Sequence, residues 1–128
     1  MPPVKPLIIG QAPARGYGFR DWTPEEQWAW VAGFIDGEGC FGATKSRRTQ
    51  KYQSIRLSIA QVELLVLERV QHMMGGRIYG PRVREGNHQQ SIYTLYLYRP
   101  NITHLWKYLG QKKRRQYKTC LLKIGYGQ

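Results

Sequence analysis

The stretch VAGFIDGEGCF, residues 31–41, decides the fold of this chain. It continues a helical pattern, yet it contains Gly33 and Gly37 and then places two carboxylates, Asp36 and Glu38, near the helix end. Glycine costs about 1 kcal/mol relative to alanine inside a helix. The helix C-terminus carries roughly half a negative charge and so disfavours acids. Both features therefore need a reason other than helix formation.

The helix that contains this stretch has a clear start and a clear end in the sequence. Thr23, Pro24 and Glu26 match an N-cap, a proline at the first helical position and the partner of a capping box. Gly39 follows the last residue of the pattern and predicts the stop. The sequence therefore predicts a helix from residue 24 to residue 38.

Small residues recur every four positions along this helix and line one of its sides. They leave a groove that a second backbone can approach, as small-xxx-small packing does in membranes. Here the predicted partner is a protein helix. The predicted interface comprises Ala29, Ala32, Gly33, Asp36 and Gly37.

A twin helix at this interface would bring two copies of Glu38 together. Two carboxylates at one place either favour protonation of one of them or hold hard divalent metal ions. If phosphate groups also lie nearby, the metal interpretation is favoured.

Length and composition predict one folded domain over residues 21–128, preceded by an extended arm, rich in Pro and Gly, over residues 1–20. The 128 residues are 41% hydrophobic and 12% aromatic, and no apolar run approaches the roughly 20 residues that span a bilayer. The N-terminus lacks the apolar core of a secretory signal. We expect an intracellular protein with no membrane partner, in the cytoplasm of a prokaryote or in an organelle.

Charge is the strongest compositional signal. The chain has 20 Lys and Arg against 8 Asp and Glu, a formal net charge of +12. No acidic residue lies between Glu38 and Glu63, and none follows Glu85. This asymmetry predicts a polyanionic partner. Nucleic acid is favoured over a membrane surface, because the basic residues follow alternating strand-like segments and do not form a basic amphipathic helix.

The remaining elements are read from periodicity. Residues 40–46 and 52–60 are predicted strands joined by a basic hairpin tip, residues 47–51. Residues 63–76 form a predicted second helix, and residues 77–98 supply two more strands with a turn around Gly86 and Asn87. Helical segments in 102–110 and 112–125 close the chain. The order is helix, two strands, helix, two strands, helices.

Residues 31–39, VAGFIDGEG, closely resemble the LAGLIDADG motif of the homing endonucleases, and the order of elements over residues 23–124 matches that family. The resemblance implies an α+β class, with a mixed αββαββα fold in which helices back a curved antiparallel four-stranded DNA-binding sheet. Val31 replaces the usual leading Leu. The single motif implies a homodimer, whereas members with two copies act as monomers.

The resemblance also implies roles for individual residues. Glu38 takes the place of the acid that binds the catalytic metals, where Asp is commoner, and Gly37 is included among the metal ligands. Asp36 takes the more structural acidic position. Gln61 matches a polar residue at the end of the second strand, with a helix-entry residue as the alternative. Lys113 or Arg114 matches the basic residue of the site, with a solvated face or a phosphate contact as the alternative.

The function implied is site-specific, metal-dependent hydrolysis of double-stranded DNA at a long pseudo-palindromic site by an intron-encoded enzyme. The expected cofactor is Mg²⁺ or Mn²⁺, with Ca²⁺ as a non-cleaving substitute, and no small-molecule substrate is expected. The alternative is a non-cleaving binder on the same fold, either an intron RNA maturase or a DNA-binding regulator.

Four strands of the predicted sheet carry donors and acceptors suited to base edges and phosphates. An ordinary soluble sheet would be more evenly charged. The predicted DNA contacts are Thr44, Ser46, Arg47, Arg48, Gln50, Lys51, Gln53, Ser54, Arg56, Ser58, Arg77, Tyr79, Arg82, Arg84, His88 and Gln90.

Overall fold

A computed structural model describes residues 21–83 and 91–126 of the chain. Several expectations fall outside these residues: the N-terminal arm over residues 1–20, the turn around Gly86 and Asn87, and the predicted DNA contacts Arg84, His88 and Gln90.

The elements follow in the predicted order. Helix α1, Pro24–Glu38, leads directly into β1, Gly39–Lys45, and β2 covers Tyr52–Gln61. Helix α2, Leu64–Met74, precedes β3, Arg77–Val83, and β4, Ser91–Tyr98. The chain then forms a 3-10 turn, Trp106–Tyr108, helix α3, Gln111–Leu121, and a π-helical turn, Leu122–Tyr126. Residues 102–110, expected among the closing helices, contribute only the single 3-10 turn.

Local signals fix both ends of α1. The Thr23 hydroxyl accepts the Glu26 N–H at 3.1 Å, and the Glu26 carboxylate accepts the Thr23 N–H at 2.9 Å. Hydrogen bonding of the Glu26 carboxylate to the backbone N–H of Thr23, and to a lesser extent to the Thr23 side chain, lowers the pKa of Glu26. At the other end Gly39 has φ −90° and ψ 161°, an extended conformation. The helix thus stops where predicted, although Gly39 is not in the left-handed region.

Close approach explains the glycine at this position. A Cβ on Gly39 would lie 3.0 Å from the Ile35 carbonyl oxygen and 3.0 Å from its Cγ2. Such a contact is too short to be comfortable, and the Ile35 carbonyl oxygen cannot shift easily because it belongs to the helix backbone. Gly39 therefore allows α1 to turn into an edge strand without a loop.

The four strands form one antiparallel sheet in the order β1-β2-β4-β3. Ile55, Leu57 and Ile59 alternate along β2 and are buried, as their spacing predicts. They pack with Val31 and Ile35 of α1, and the core continues into α2 and α3. The α+β class and the αββαββα order are confirmed: helices cover one face of the sheet and leave the other face open.

The helices among the described residues are too short or too polar to span a bilayer.

Candidate nucleic-acid interface and carboxylate site

Alternation along the strands places a basic and aromatic surface on the uncovered side of the sheet. Arg56 lies opposite Tyr98, and Arg77 and Tyr96 face each other across β3 and β4. Residues that pair in register lie on the same face of a sheet, and side chains alternate between the two faces along each strand. These two rules identify the residues on the uncovered side, which we call the open face. It comprises Cys40, Gly42, Thr44, Ser54, Arg56, Ser58, Ala60, Arg77, Tyr79, Arg82, Ile92, Thr94, Tyr96 and Tyr98.

The open face carries cations and no acids. The four strands contain no Asp or Glu over the residues that the structure describes. Seven of the predicted DNA contacts lie on this surface. They are Thr44, Ser54, Arg56, Ser58, Arg77, Tyr79 and Arg82.

Two of these residues bind each other across neighbouring strands. The Thr44 hydroxyl donates to the Ser54 carbonyl oxygen at 3.1 Å, and the two hydroxyl oxygens lie 2.7 Å apart. This pairing supports β1 and β2 just before a register shift that leaves Gln53 without a partner. Gln53, another predicted DNA contact, is exposed and lies at this irregularity, outside the regular β1–β2 pairing.

Further predicted contacts lie in the β1–β2 turn. The Ser46 hydroxyl accepts N–H groups of Arg48 and Thr49 at 3.2 and 3.4 Å, so it shapes the turn. Gln50 has a positive φ of 61° and donates its side-chain amide to the Arg47 carbonyl at 3.1 Å. Arg47, Arg48 and Lys51 are exposed at the hairpin tip. The turn therefore presents these three cations to solvent.

Two tyrosines of β4 were missed by the sequence reasoning. Tyr98 is 56% exposed, and the guanidinium of Arg56 lies over the Tyr96 ring, 4.7 Å from its centroid. The alternation in SIYTLYLY, with Tyr93 and Leu95 buried, could have placed both on the open face. The side facing solvent thus combines arginines with aromatic rings.

Asp36 has a structural partner. Both of its carboxylate oxygens accept the backbone N–H of Gly110, at 2.9 and 3.0 Å. Gly110 is the N-cap of α3 and offers no capping side chain. The Asp36 carboxylate thus lies at the positive end of α3, which offsets its unfavourable position near the negative end of α1.

Glu38 differs from Asp36. It is the last residue of α1, its side chain is exposed, and its carboxylate has no hydrogen-bond partner among residues 21–83 and 91–126. Gly39 lies opposite Ile59 in the β1–β2 register, so Gln61 lies at the same end of the sheet as Glu38. The Gln61 side-chain oxygen accepts the Val62 N–H at 3.1 Å, which supports the turn into α2.

Lys113 and Arg114, the two candidate basic residues in the first turn of α3, have different surroundings. Arg114 donates its Nε to the Trp106 carbonyl at 2.9 Å, and its guanidinium lies 5.4 Å from the centre of the Trp106 ring. Lys113 is half-buried on the helix side that also carries Tyr117 and Cys120. Arg114 therefore ties α3 to the preceding turn.

The small-residue stripe of α1 is uncovered within the chain. Gly33 and Gly37 are exposed, and no described atom lies within 4 Å of a Cβ built on either one. Ala29 is half-buried. Ala32 is different: it is 0% exposed and packs in the core, so its prediction as an interface residue is corrected. It lies one position away from Gly33, which is about 100° around a helix.

The described residues include no cluster of three or more His, Cys, Asp or Glu that could hold a metal ion. A single chain offers the exposed Glu38 carboxylate with the neighbouring Gly37 carbonyl. Mg²⁺ keeps several waters and binds proteins through one or two carboxylates together with substrate phosphates. These donors therefore fit a divalent metal when a second carboxylate and phosphates complete the set.

The chain matches the protein-family model of the LAGLIDADG endonuclease over residues 31–122. A search of curated proteins gave no match. Two similar solved structures are of the homing endonuclease I-CvuI, one in complex with its target in the presence of Ca²⁺ and one with the I-CreI target in the presence of Mg²⁺, with the DNA not cleaved.

The first I-CvuI structure has 23% sequence identity to this chain and a TM-score of 0.53. The match covers 77% of this chain and 66% of that one. The second I-CvuI structure has 22% sequence identity and a TM-score of 0.51, and the match covers 75% of this chain and 64% of that one. The chain thus spans about two thirds of the length of these neighbours, and the likeness supports the fold. The family match, which runs from the C-terminal half of α1 through the sheet to the end of α3, shows that the chain belongs to the LAGLIDADG endonuclease family.

Proposed function

We propose that this chain is a homing endonuclease that cleaves both strands of a long, pseudo-palindromic DNA site as a homodimer. The observation that carries the proposal is the exposed Glu38 carboxylate at the point where α1, with its uncovered glycine stripe, joins the sheet that carries the basic open face. Charge and donors on the open face suit phosphates and base edges. The similar structures of the homing endonuclease I-CvuI, bound to its own target and to the I-CreI target, support the same function.

The homodimer follows from the single motif. Gly33 and Gly37 allow two copies of α1 to approach closely, and a twofold axis between the helices makes the contact self-complementary. That axis would bring Glu38 of each copy to the centre of the assembly. Each sheet would then lie over one half of the site.

Divalent metal ions, Mg²⁺ or Mn²⁺, would lower the pKa of an attacking water and neutralise charge on the scissile phosphate. Glu38, with the Gly37 carbonyl, would hold them. Gln61 lies at the same end of the sheet and would orient the water through its amide. Of the two candidate basic residues, Lys113 would stabilise negative charge on the phosphate, because the Nε–H of Arg114 already donates to the Trp106 carbonyl oxygen.

Asp36 has a supporting role in this scheme. Its bond to Gly110 fixes the start of α3, and with it Lys113, relative to the α1 terminus that carries Glu38. Only Gly37 separates Asp36 from Glu38 along the chain. One short segment thus places the metal ligand and the basic helix together.

Incubation of the protein with a plasmid library of randomised sites, in the presence of Mg²⁺, tests the proposal. We expect a recurrent sequence with twofold symmetry at the ends of linearised plasmids, with both strands cut. Replacement of Mg²⁺ by Ca²⁺ should leave the same sites bound and uncut. Selective binding without cleavage in either metal would favour the alternative, a non-cleaving DNA regulator or RNA maturase.

A further inference from the structure

Tyr96 lies at the centre of the open face and contacts side chains on both adjoining strands. The guanidinium carbon of Arg56, on β2, lies 4.7 Å from the centroid of the Tyr96 ring. The Tyr79 ring, on β3, lies 5.6 Å from the Tyr96 ring at an interplanar angle of 60°. Strand β4 lies between β2 and β3 in the sheet. A row of three side chains therefore crosses three strands.

The register explains how Arg56 reaches this ring. Arg56 lies opposite Tyr98, and Ser58 lies opposite Tyr96, so Arg56 and Tyr96 are diagonal neighbours on one face. Long side chains span such diagonal positions. Ser58 is small and leaves the space beside Tyr96 that a larger residue would fill. The arrangement depends on the pairing of β2 with β4.

The contact with Tyr96 restricts the conformations of the Arg56 side chain. A free arginine samples many rotamers and loses conformational entropy when a ligand orders it. A guanidinium over an aromatic ring is held by electrostatic attraction to the ring face. Its five N–H donors lie in the guanidinium plane around that central carbon, so a contact between the carbon and the ring leaves N–H groups free to hydrogen-bond. Tyr96 thus presents a charged, flat and oriented donor group.

On the premise that the open face binds duplex DNA as proposed above, we propose that Tyr96 is a positioning residue that holds Arg56 to read a guanine in each half-site. Guanine presents two acceptors, N7 and O6, to the major groove, and arginine binds both with parallel N–H groups. Adenine presents a donor in place of O6 and cannot accept the second bond. Tyr79 supports Tyr96 from the edge strand.

Binding to single-base variants of a duplex site, selected by the wild-type protein from a randomised pool, tests this assignment. We expect wild type to prefer guanine at one position per half-site by roughly 5- to 150-fold, and Arg56→Ala to lose that preference. Tyr96→Leu should reduce it by roughly two- to fivefold, from the usual strength of an exposed cation–π contact. Tyr96→Phe, which keeps the ring, should retain it.

The salt dependence separates positioning from a general loss of binding. Tyr96→Leu should leave the slope of log affinity against log salt unchanged, because it removes no phosphate contact. Tyr98→Leu removes another exposed ring from the same strand and face, and it should keep the guanine preference. If Tyr96→Leu does not fold, Tyr79→Leu carries the same expectation, since it removes the ring that supports Tyr96.

Two results overturn the assignment while the proposed function stands: a folded Tyr96→Leu or Tyr79→Leu protein with the full guanine preference, or a wild-type protein that selects sites with no guanine dependence on Arg56. A wild-type protein that binds all duplexes alike overturns both the assignment and the proposed function.

Discussion

Both carboxylate oxygens of Asp36 accept the backbone N–H of Gly110, at 2.9 and 3.0 Å, and join the end of α1 to the start of α3. The two residues lie 74 positions apart in the chain. A Cβ on Gly110 would lie 3.3 Å from each Asp36 oxygen, so the two segments pack closely. The first acid of the motif is therefore a cap for another helix.

Removal of this cap should destabilise the fold. Asp36→Ala leaves the Gly110 N–H and the positive end of α3 without a carboxylate, and we expect a loss of about 0.5–2 kcal/mol in the free energy of unfolding. Asp36→Asn keeps one acceptor oxygen and should lose less. Urea denaturation measures both, with Asp21→Ala as a control for loss of an exposed acid. Equal stability of Asp36→Ala and wild type would refute the capping role.

A methyl group at the α1–β1 junction should also be costly. Gly39→Ala places a Cβ 3.0 Å from the Ile35 carbonyl oxygen, which the helix holds in place, and we expect about 1–3 kcal/mol of destabilisation. Gly42→Ala is the matched control, because no described atom lies within 4 Å of its built Cβ. Denaturation midpoints should therefore separate the two variants, and identical midpoints would contradict the close packing at Gly39.

Glu38→Gln tests the proposed metal ligand. The amide keeps the size of the side chain but removes the charge that attracts a divalent cation, so cleavage should be abolished. Specific DNA binding should stay within about tenfold of wild type, a change of roughly 1.4 kcal/mol. Cleavage of the selected site and binding in Ca²⁺ measure the two effects. A variant that cuts near the wild-type rate removes Glu38 from the mechanism.

Gly33→Leu tests the proposed helix pairing. The added side chain has room within one chain, because no described atom lies within 4 Å of its Cβ. It would obstruct a second helix, so we expect a folded monomer or a weakened dimer. Sedimentation reports the mass, and circular dichroism reports the folding. An intact, folded Gly33→Leu dimer would show that the partner helix lies elsewhere.

The hairpin tip should contribute affinity without selectivity. Arg47, Arg48 and Lys51 are exposed there, and a phosphate contact from any one of them would release about one counterion. Each single change to Ala should weaken all duplex sequences alike and lower the salt slope by about one unit. Binding to several duplexes over a range of salt concentrations measures this effect. A change in base preference without a change in slope would place that residue among the base readers.

Signals between near neighbours allowed the first helix and the second strand to be predicted. Thr23 and Glu26 are three residues apart, and their reciprocal hydrogen bonds set the start of α1. Ile55 and Leu57 alternate along β2, and their spacing alone places them in the core. Such patterns depend on the geometry of one element, so the sequence is sufficient to predict them.

The sequence was less informative about which face of α1 each small residue occupies. Ala32 and Gly33 are both small and adjacent, but only Gly33 is exposed, whereas Ala32 is fully buried. Residue size does not distinguish a position that a partner covers from one that the chain's own core covers. The direction in which α1 packs on the sheet decides it.

The sequence by itself determined the order of elements, the ends of α1 and the separation of a basic face from an apolar one. Only the tertiary structure decided that Asp36 caps α3 and that Arg56 lies on Tyr96. Both contacts join segments that are distant in the chain, and the second exists because β4 pairs with β2 in the order β1-β2-β4-β3. Strand order and helix docking result from burial of the whole core at once, and no local pattern specifies them.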